Sequence, residues 1–306
     1  MTRGPVVNQA KLPVGSTGSA VDQLRSTTEQ PTGSNIGAFR TVCAFSHMSF
    51  DDPIVYPGQP GRSHLHAFFG NTGVNAHSTA DSIASTGNST CRGGTVNRSG
   101  YWAPAMIDTQ DGTPVKPDTM IVYYKTGYRG VKPADVQPFP VGLRMIAGNP
   151  NNASPVQWGP TGYSCVGPSG STPNTSELPT TCPVGSTVWA GVAFPQCWDG
   201  VNLDSPDHRS HMAYATPGKG CVDPSYPIAL PEVAIKVLYT VRDAAALARW
   251  RLSSDNYDPA LPGGYSMHAD WFNGWKPEVL NAWVKSCNQP SLDCKAHLIG
   301  DGRMMY

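Results

Sequence analysis

The chain has 306 residues, 22 basic and 22 acidic side chains, and only 14% charged residues, well under the usual quarter or so of a globular chain. Zero net charge with no basic stripe excludes an electrostatic nucleic-acid partner, which needs clustered Lys and Arg, and no run of about 18 apolar residues marks a membrane span. The 32 glycines and 29 prolines, with eight Trp, twelve Tyr and eight Phe, read as short strands joined by turns and long ordered loops.

Residues 1–36 are polar and rich in Ser, Thr and Gly, and are expected to form an extended arm that drapes over the body. The start has no apolar h-region of a signal peptide, so any signal is expected to have been trimmed away. The folded part, 37–306, begins at "FRTVCAFSHMSFDDPIVYP", where "PIVYP" (53–57) reads as a strand bracketed by prolines. "SHLHAFFG" (63–70) reads as another strand. Residues two apart on a strand share a face, so His64 and His66 should point one way and Leu65 the other.

"TMIVYYKTG" (119–127) is the clearest strand, being β-branched and aromatic. "VGLRMIAG" (141–148), "STVWAGVAFPQCWDG" (186–200) and "EVAIKVLYTV" (232–241, read as buried) follow. "GNPNN" (148–152) is turn chemistry, and a Pro/Gly/Ser/Asn-rich connection fills 149–187. Helices are scarce. "DAAALARWRL" (243–252) suggests one short helix. In "KPEVLNAWVKSC" (276–287), Pro277 suits a first turn, Glu278 suits a helix N-terminus, and Val279, Leu280, Trp283 and Val284 form one apolar face. The pattern predicts a mainly β, single-domain sandwich or jelly roll with long disulfide-stapled loops and one or two short helices.

Eight cysteines without a CxxC pair argue against a zinc ribbon or redox motif and for disulfides in an oxidising compartment. Sequential pairing is expected, Cys43–Cys91, Cys165–Cys182, Cys197–Cys221 and Cys287–Cys294, because each bridge would staple a loop that lacks a core of its own. A secreted, extracellular monomer follows as the expectation.

The chemistry-bearing residues fall into compact motifs: "GRSHLHAFF", "LDSPDHRSHMAYATPG" and "GGYSMHADWFNGW", with Asp51 and Asp52 about a dozen residues before the first histidine pair. "DDPIVYPGQPGRSHLHAFFGN", "PVGLRMIAG", "FPQCWDG", "SHMAYATPGKGC" and "GYSMHADWFNGW", in that order over residues 38–288, resemble a family of secreted microbial and fungal proteins known as domain of unknown function 1996. Some fungal members of that family carry an added wall-carbohydrate-binding module, so the resemblance implies a polysaccharide partner but no established reaction. Its recurring motifs match here at His64, His66, His211, His268 and Asp270. His47, His77, His208 and His297 lie outside them.

Three functions compete. The first is a polysaccharide-cleaving enzyme, a glycoside hydrolase or lyase, with a cleft lined by His64, His66, His211, His268, Asp270 and Asp52. His268 could move a proton while Asp270, two residues on, orients it. A hydrolase needs two carboxylates, drawn from Asp51, Asp52, Asp199, Asp207 and Asp270, and a lyase could use Arg144 to neutralise a uronate. Trp102, Trp271 and Trp275, with Tyr214, are the expected sugar contacts, whereas Trp189, Trp198, Trp250 and Trp283 suit a core. The second is a metal site for zinc, manganese or copper on His64, His66 and His211; a divalent ion is the one cofactor the side chains suit. The third is non-catalytic carbohydrate binding, which needs aromatics on an open face rather than convergent histidines. Against all three, a buried histidine can be a hydrogen-bonded structural residue, and Asp51 and Asp52 before Pro53 can simply cap a turn. No GxSxG elbow, P-loop or GxGxxG follows a strand, which disfavours an α/β-hydrolase and nucleotide cofactors.

Overall fold

A computed structural model describes residues 4–156 and 159–306. The first three residues of the expected arm, and 157–158 in the long connection, lie outside the described residues. The strands of the two main sheets are, in chain order, β1 (Ala38–Ser49), β2 (His66–Gly70), β3 (Gly100–Pro104), β4 (Thr119–Lys125), β5 (Arg144–Gly148), β6 (Thr161–Gly167), β7 (Thr187–Ala193), β8 (Glu232–Thr240) and β9 (His268–Phe272).

β1 belongs to both sheets. Its first half, Ala38–Ala44, pairs with β4, and its second half, from Phe45 to Ser49, pairs with β2. The register shifts between Phe45 and His47, and such a bulge bends a strand so that it can turn a corner from one sheet into the next. The first sheet runs β6–β7–β8–β4–β1 and the second β1–β2–β3–β9–β5, every neighbour antiparallel.

Period-2 burial explains the layering. Met120, Val122 and Tyr124 of β4 and Val233, Ile235, Val237 and Tyr239 of β8 point into the core while their neighbours face outward. From the second sheet, Ala67, Phe69, Tyr101, Ala103, Met145, Ala147, Ala269 and Trp271 enter the same core. The protein is therefore mainly β and sandwich-like, as the sequence predicts. β8 is buried on one face only, not on both. The second sheet is different: its far face is also covered, by a smaller cluster of Phe68, Trp102, Ile146 and Phe272 under Ile54, Val74 and Ile83. Val74 lies in the connection after β2, and Ile83 sits on helix α1 (Ala80–Ser85), whose Thr79 and Ser82 form a capping box.

Several local expectations change. "PIVYP" is a turn, because the Asp52 Oδ1 accepts from the Ile54 and Val55 amides at 2.9 Å and draws the chain back on itself; one Asp52 oxygen thus caps a turn, as the sequence allowed. Residues 243–252 split into a 3₁₀ turn, Ala244–Arg249, and a short strand, Trp250–Leu252, that pairs with Met106–Asp108. Helix α2 (Pro277–Trp283) starts at Pro277 as expected but ends in a π turn, Val284–Asn288. Residues 4–36 are pinned to the body: Asn8 N–H donates to Gly112, Ser16 N–H to Phe45, and Leu24–Ser26 pairs with Arg303–Met305. All four disulfides join the sequential partners. They mark an oxidising environment, and among the described residues no helix is long and apolar enough to cross a membrane.

Candidate functional site

The far face of the second sheet carries the polar groups. Alternation puts His66 and Phe68 of β2, Trp102 of β3, Ile146 of β5, and His268, Asp270 and Phe272 of β9 on that face, while Ala67, Tyr101, Met145, Ala269 and Trp271 go to the core. Strand register lines up Phe68, Trp102, Asp270 and Ile146 in one row across four strands. An aspartate thus sits in a row otherwise apolar. His64 precedes β2, yet its ring joins the others, with centroids 4.3 Å from His66 and 4.9 Å from His268.

Backbone carbonyls fix two of the three imidazoles. His66 Nδ1–H donates to the Asp51 carbonyl at 3.0 Å and His268 Nδ1–H to the Ser266 carbonyl at 2.8 Å. Each then presents an unprotonated Nε2. The His268 Nε2 lies 3.1 Å from His64 Nε2, and the His66 Nε2 is buried with no hydrogen-bond partner among the described residues. Burial pushes the basicity of all three down. His66 falls to about 3, with the His268 charge adding to the desolvation, and His268 falls to about 4. His64 drops well below its ordinary value through burial and the charges of His66 and His268. In all three, burial favours the neutral ring.

Two carboxyls complete the cluster. Asp52, His66 and Asp270 bring one donor atom each within 4.8 Å of one another. Asp52 has one oxygen bound to the turn amides. Asp270 is 1% exposed, and neither of its oxygens has a partner among the described residues. The Trp102 indole N–H, near enough to lower the Asp52 value slightly, makes no hydrogen bond either. Burial raises the Asp52 value, and burial together with the Asp52 charge holds Asp270 well above the carboxylate range. Unpaired buried polar atoms are rare in folded proteins; among the described residues the His66 Nε2 and both Asp270 oxygens are such atoms, side by side on one face of one sheet.

A cleft of about 490 Å³ opens above this floor, lined among others by Asp52, Tyr56, His64, Asn149, Arg209, His268 and Asp270. A second hollow of about 240 Å³ shares Asn149 and Arg209 with it and reaches Tyr214 and Tyr265. The two hollows share Asn149 and Arg209 in their walls, the first lined by His and Asp side chains and the second by Tyr214 and Tyr265.

The structure brings together His64, His66, His268, Asp52 and Asp270, which the sequence picked from three separate motifs. It does not bring in His211: its Nδ1 meets the Ser205 hydroxyl at 2.9 Å and its Nε2 the Arg144 carbonyl at 2.7 Å, so both nitrogens are engaged in holding the 204–211 loop. The expected trio of His64, His66 and His211 is therefore replaced by His64, His66 and His268. The indole platforms are also displaced. Trp102, Trp271 and Trp275 are at most 1% exposed; Trp102 floors the site, Trp271 points into the sandwich core, and Trp275 packs on Phe39 and donates to the Tyr124 hydroxyl. Arg144 is tied to Asp204 at 3.0 Å and lies over the Phe272 ring, away from the cleft lining. Tyr214 sits in the adjoining hollow, its hydroxyl donating to the Ala193 carbonyl.

Arg209 was missed. Its exposed guanidinium lines both hollows, makes no ion pair among the described residues, and its charge lowers the values of both His268 and Asp270. Asp207 and His208 also line the cleft. The signal was the charged run "DHR" in a Ser/Pro turn, where Asp207 Oδ1 accepts from the Arg209 and Ser210 amides and holds the loop in shape.

A mainly β, disulfide-stapled protein with a His/Asp cluster at the base of a cleft is the class that fold and site define. The chain belongs to the family described as domain of unknown function (DUF1996), whose model matches residues 52–275, a span that holds every residue of the cluster. No curated protein and no solved structure matches it.

Proposed function

We propose that the protein is a secreted carbohydrate-active enzyme that cleaves an extracellular polysaccharide, as a glycoside hydrolase or a lyase, in the cleft over His64, His268, Asp52 and Asp270. The observation that carries this reading is the pairing of a solvent-open groove with two carboxyls and three imidazoles at its deep end, Asp270 having no structural partner. A structural cluster would be satisfied internally.

Cleaving a glycosidic bond needs a proton delivered to the leaving oxygen. Burial and the nearby Asp52 charge strengthen the hold of Asp270 on its proton, the direction a general acid needs. Asp52 is the second carboxyl, and its closeness to Asp270 leaves no space for the water that an inverting hydrolase places between its acid and base. A lyase is the second reading, favoured by Arg209 at the junction of the two hollows. There a guanidinium would neutralise a uronate carboxylate, the role the sequence had suggested for Arg144. Burial of Trp102, Trp271 and Trp275 weighs against simple carbohydrate binding, which needs open aromatic faces.

The test is a panel of neutral and uronate-containing polysaccharides incubated with wild type, Asp270→Asn and His64→Ala. New reducing ends without ultraviolet absorbance indicate hydrolysis, and absorbance of unsaturated products indicates elimination. Either should vanish in Asp270→Asn. Binding without any product on every polymer would overturn the enzymatic reading.

A further inference from the structure

We infer that the Nε2 atoms of His64, His66 and His268 form a three-nitrogen site for a divalent first-row transition ion, with zinc as the representative, at the deep end of the cleft. One donor nitrogen from each of the three rings lies within 4.8 Å of the other two. Around a zinc ion with Zn–N bonds of about 2.0–2.1 Å, tetrahedral ligands stand about 3.3 Å apart. The 3.1 Å between the His64 and His268 Nε2 atoms is already close to that edge, and a His66 nitrogen lies within 4.8 Å of both.

Three further features point the same way. First, His66 and His268 each donate Nδ1–H to a backbone carbonyl. That outer contact fixes the tautomer and ring orientation that a metal-binding imidazole requires. Second, the His66 Nε2 is an acceptor with no partner among the described residues, on a side chain that is 0% exposed. Third, His66 belongs to two overlapping donor sets, one with His64 and His268 and the other with Asp52 and Asp270. An ion on the three nitrogens would have both carboxyls nearby to balance its charge or to hold a bound water. The oxygens of Asp270 lack any other partner among the described residues.

The donor chemistry selects the ion. Nitrogen-rich sites suit zinc, copper, iron and nickel, whereas magnesium and calcium take oxygen ligands. Three side-chain ligands leave a coordination position open, and His64, His268, Asp52 and Asp270 all line the solvent-open cleft. This is the layout of a catalytic rather than a structural zinc site. His211, with both nitrogens engaged, takes no part.

The test measures metal, not activity, so it stands apart from the polysaccharide reading. Protein stripped with a chelator is titrated with zinc by calorimetry and with cobalt(II) by visible absorption. Wild type should bind one ion per chain with a dissociation constant below about 1 μM, and cobalt should give visible bands of a low-coordinate nitrogen site. His64→Ala and His268→Ala should each weaken binding by more than the about 10–100-fold that loss of an outer contact to a metal ligand costs. His77→Ala, an exposed position outside the cluster, should change nothing. His64 precedes its strand, so His64→Ala keeps the test available if a β9 variant fails to fold. No stoichiometric ion at 10-fold excess over about 1 μM, or unchanged affinity in His64→Ala, would overturn the site. Zinc binding without any polysaccharide product would leave this inference standing and sink the enzymatic reading; product from fully stripped protein that binds no zinc would do the reverse.

Discussion

Replacing Asp270 by leucine should make the metal-free protein more stable. Aspartate and leucine branch at the same carbon and carry the same number of side-chain heavy atoms; leucine's methyl groups are bulkier, and the cleft that Asp270 lines gives them room to extend. In wild type, Asp270 is 1% exposed with both oxygens unpartnered among the described residues, and its cross-strand neighbours in the row are Trp102 and Ile146. An unsatisfied buried polar group costs about 1–3 kcal/mol, so removing it should stabilise the fold by about 2 kcal/mol. For domains somewhat shorter than this one, 1 kcal/mol moves Tm by about 2–4 °C, which predicts an upward shift of about 5 °C by calorimetry in chelator. Activity should be lost in the same variant, the stability–function trade expected where an active site stores an unpaired group. A fall in Tm would refute the reasoning: Asp270 would then be a satisfied member of a structural network.

Acid should destabilise the metal-free Asp270→Leu protein as pH drops from about 6.5 toward 4. The unfolded histidines take up protons near 6.5, while the folded His66 and His268 resist to about 3 and about 4. Their stabilisation is therefore complete above 6.5 and is lost on acidification, at up to about 1.4 kcal/mol per pH unit for each. The raised Asp52 value acts oppositely, its contribution fading as pH rises; denaturant melts across this range should show the histidine sign, and a flat profile would count against neutral burial. Opening Cys43–Cys91, which spans 48 residues, should cost about 4 kcal/mol of chain entropy against about 2 for Cys287–Cys294, which spans 7; equal losses in urea melts would contradict that ordering. On a uronate polymer Arg209→Ala should raise KM about 10-fold or more with Tm unchanged, whereas Arg144→Ala, which frees Asp204, should lower Tm with KM unchanged.

Much of the layering is legible because β4, β7 and β8 alternate cleanly, and hydrophobic periodicity is the signal a sequence transmits best. Much of the cluster was also within reach: HxH in "SHLHAFFG" and HxD in "SMHADWF" suggest shared faces by strand period, which holds for His268 and Asp270, whereas His64 reaches the site from the segment before its strand and Asp52 from a turn. His211 was misplaced because a histidine in a Ser/Asp/Pro loop looks the same whether its nitrogens face a cleft or a backbone carbonyl. The tryptophans were misplaced because this sheet is buried on both faces, so neither side of β9 offers an open platform. "PIVYP" went wrong because Asp52, two residues before Ile54, outcompetes strand propensity through its own side-chain bonds. Arg209 escaped notice because the charged run "DHR" reads locally as a solvated turn, and only the tertiary fold brings it to the same cleft as His268 and Asp270.

The central claim, that the His/Asp floor of the cleft is where a polysaccharide is cleaved, is tested most directly by a crystal structure of Asp270→Asn with an oligosaccharide of the polymer it degrades. The account predicts sugar rings running from the His64–His268 end past Asn149 and Arg209 toward Tyr214, with a glycosidic oxygen within hydrogen-bond reach of residue 270. Sugar bound elsewhere, for instance against the half-buried Trp189 and Lys236 of the first sheet, with the His/Asp floor untouched, would contradict it.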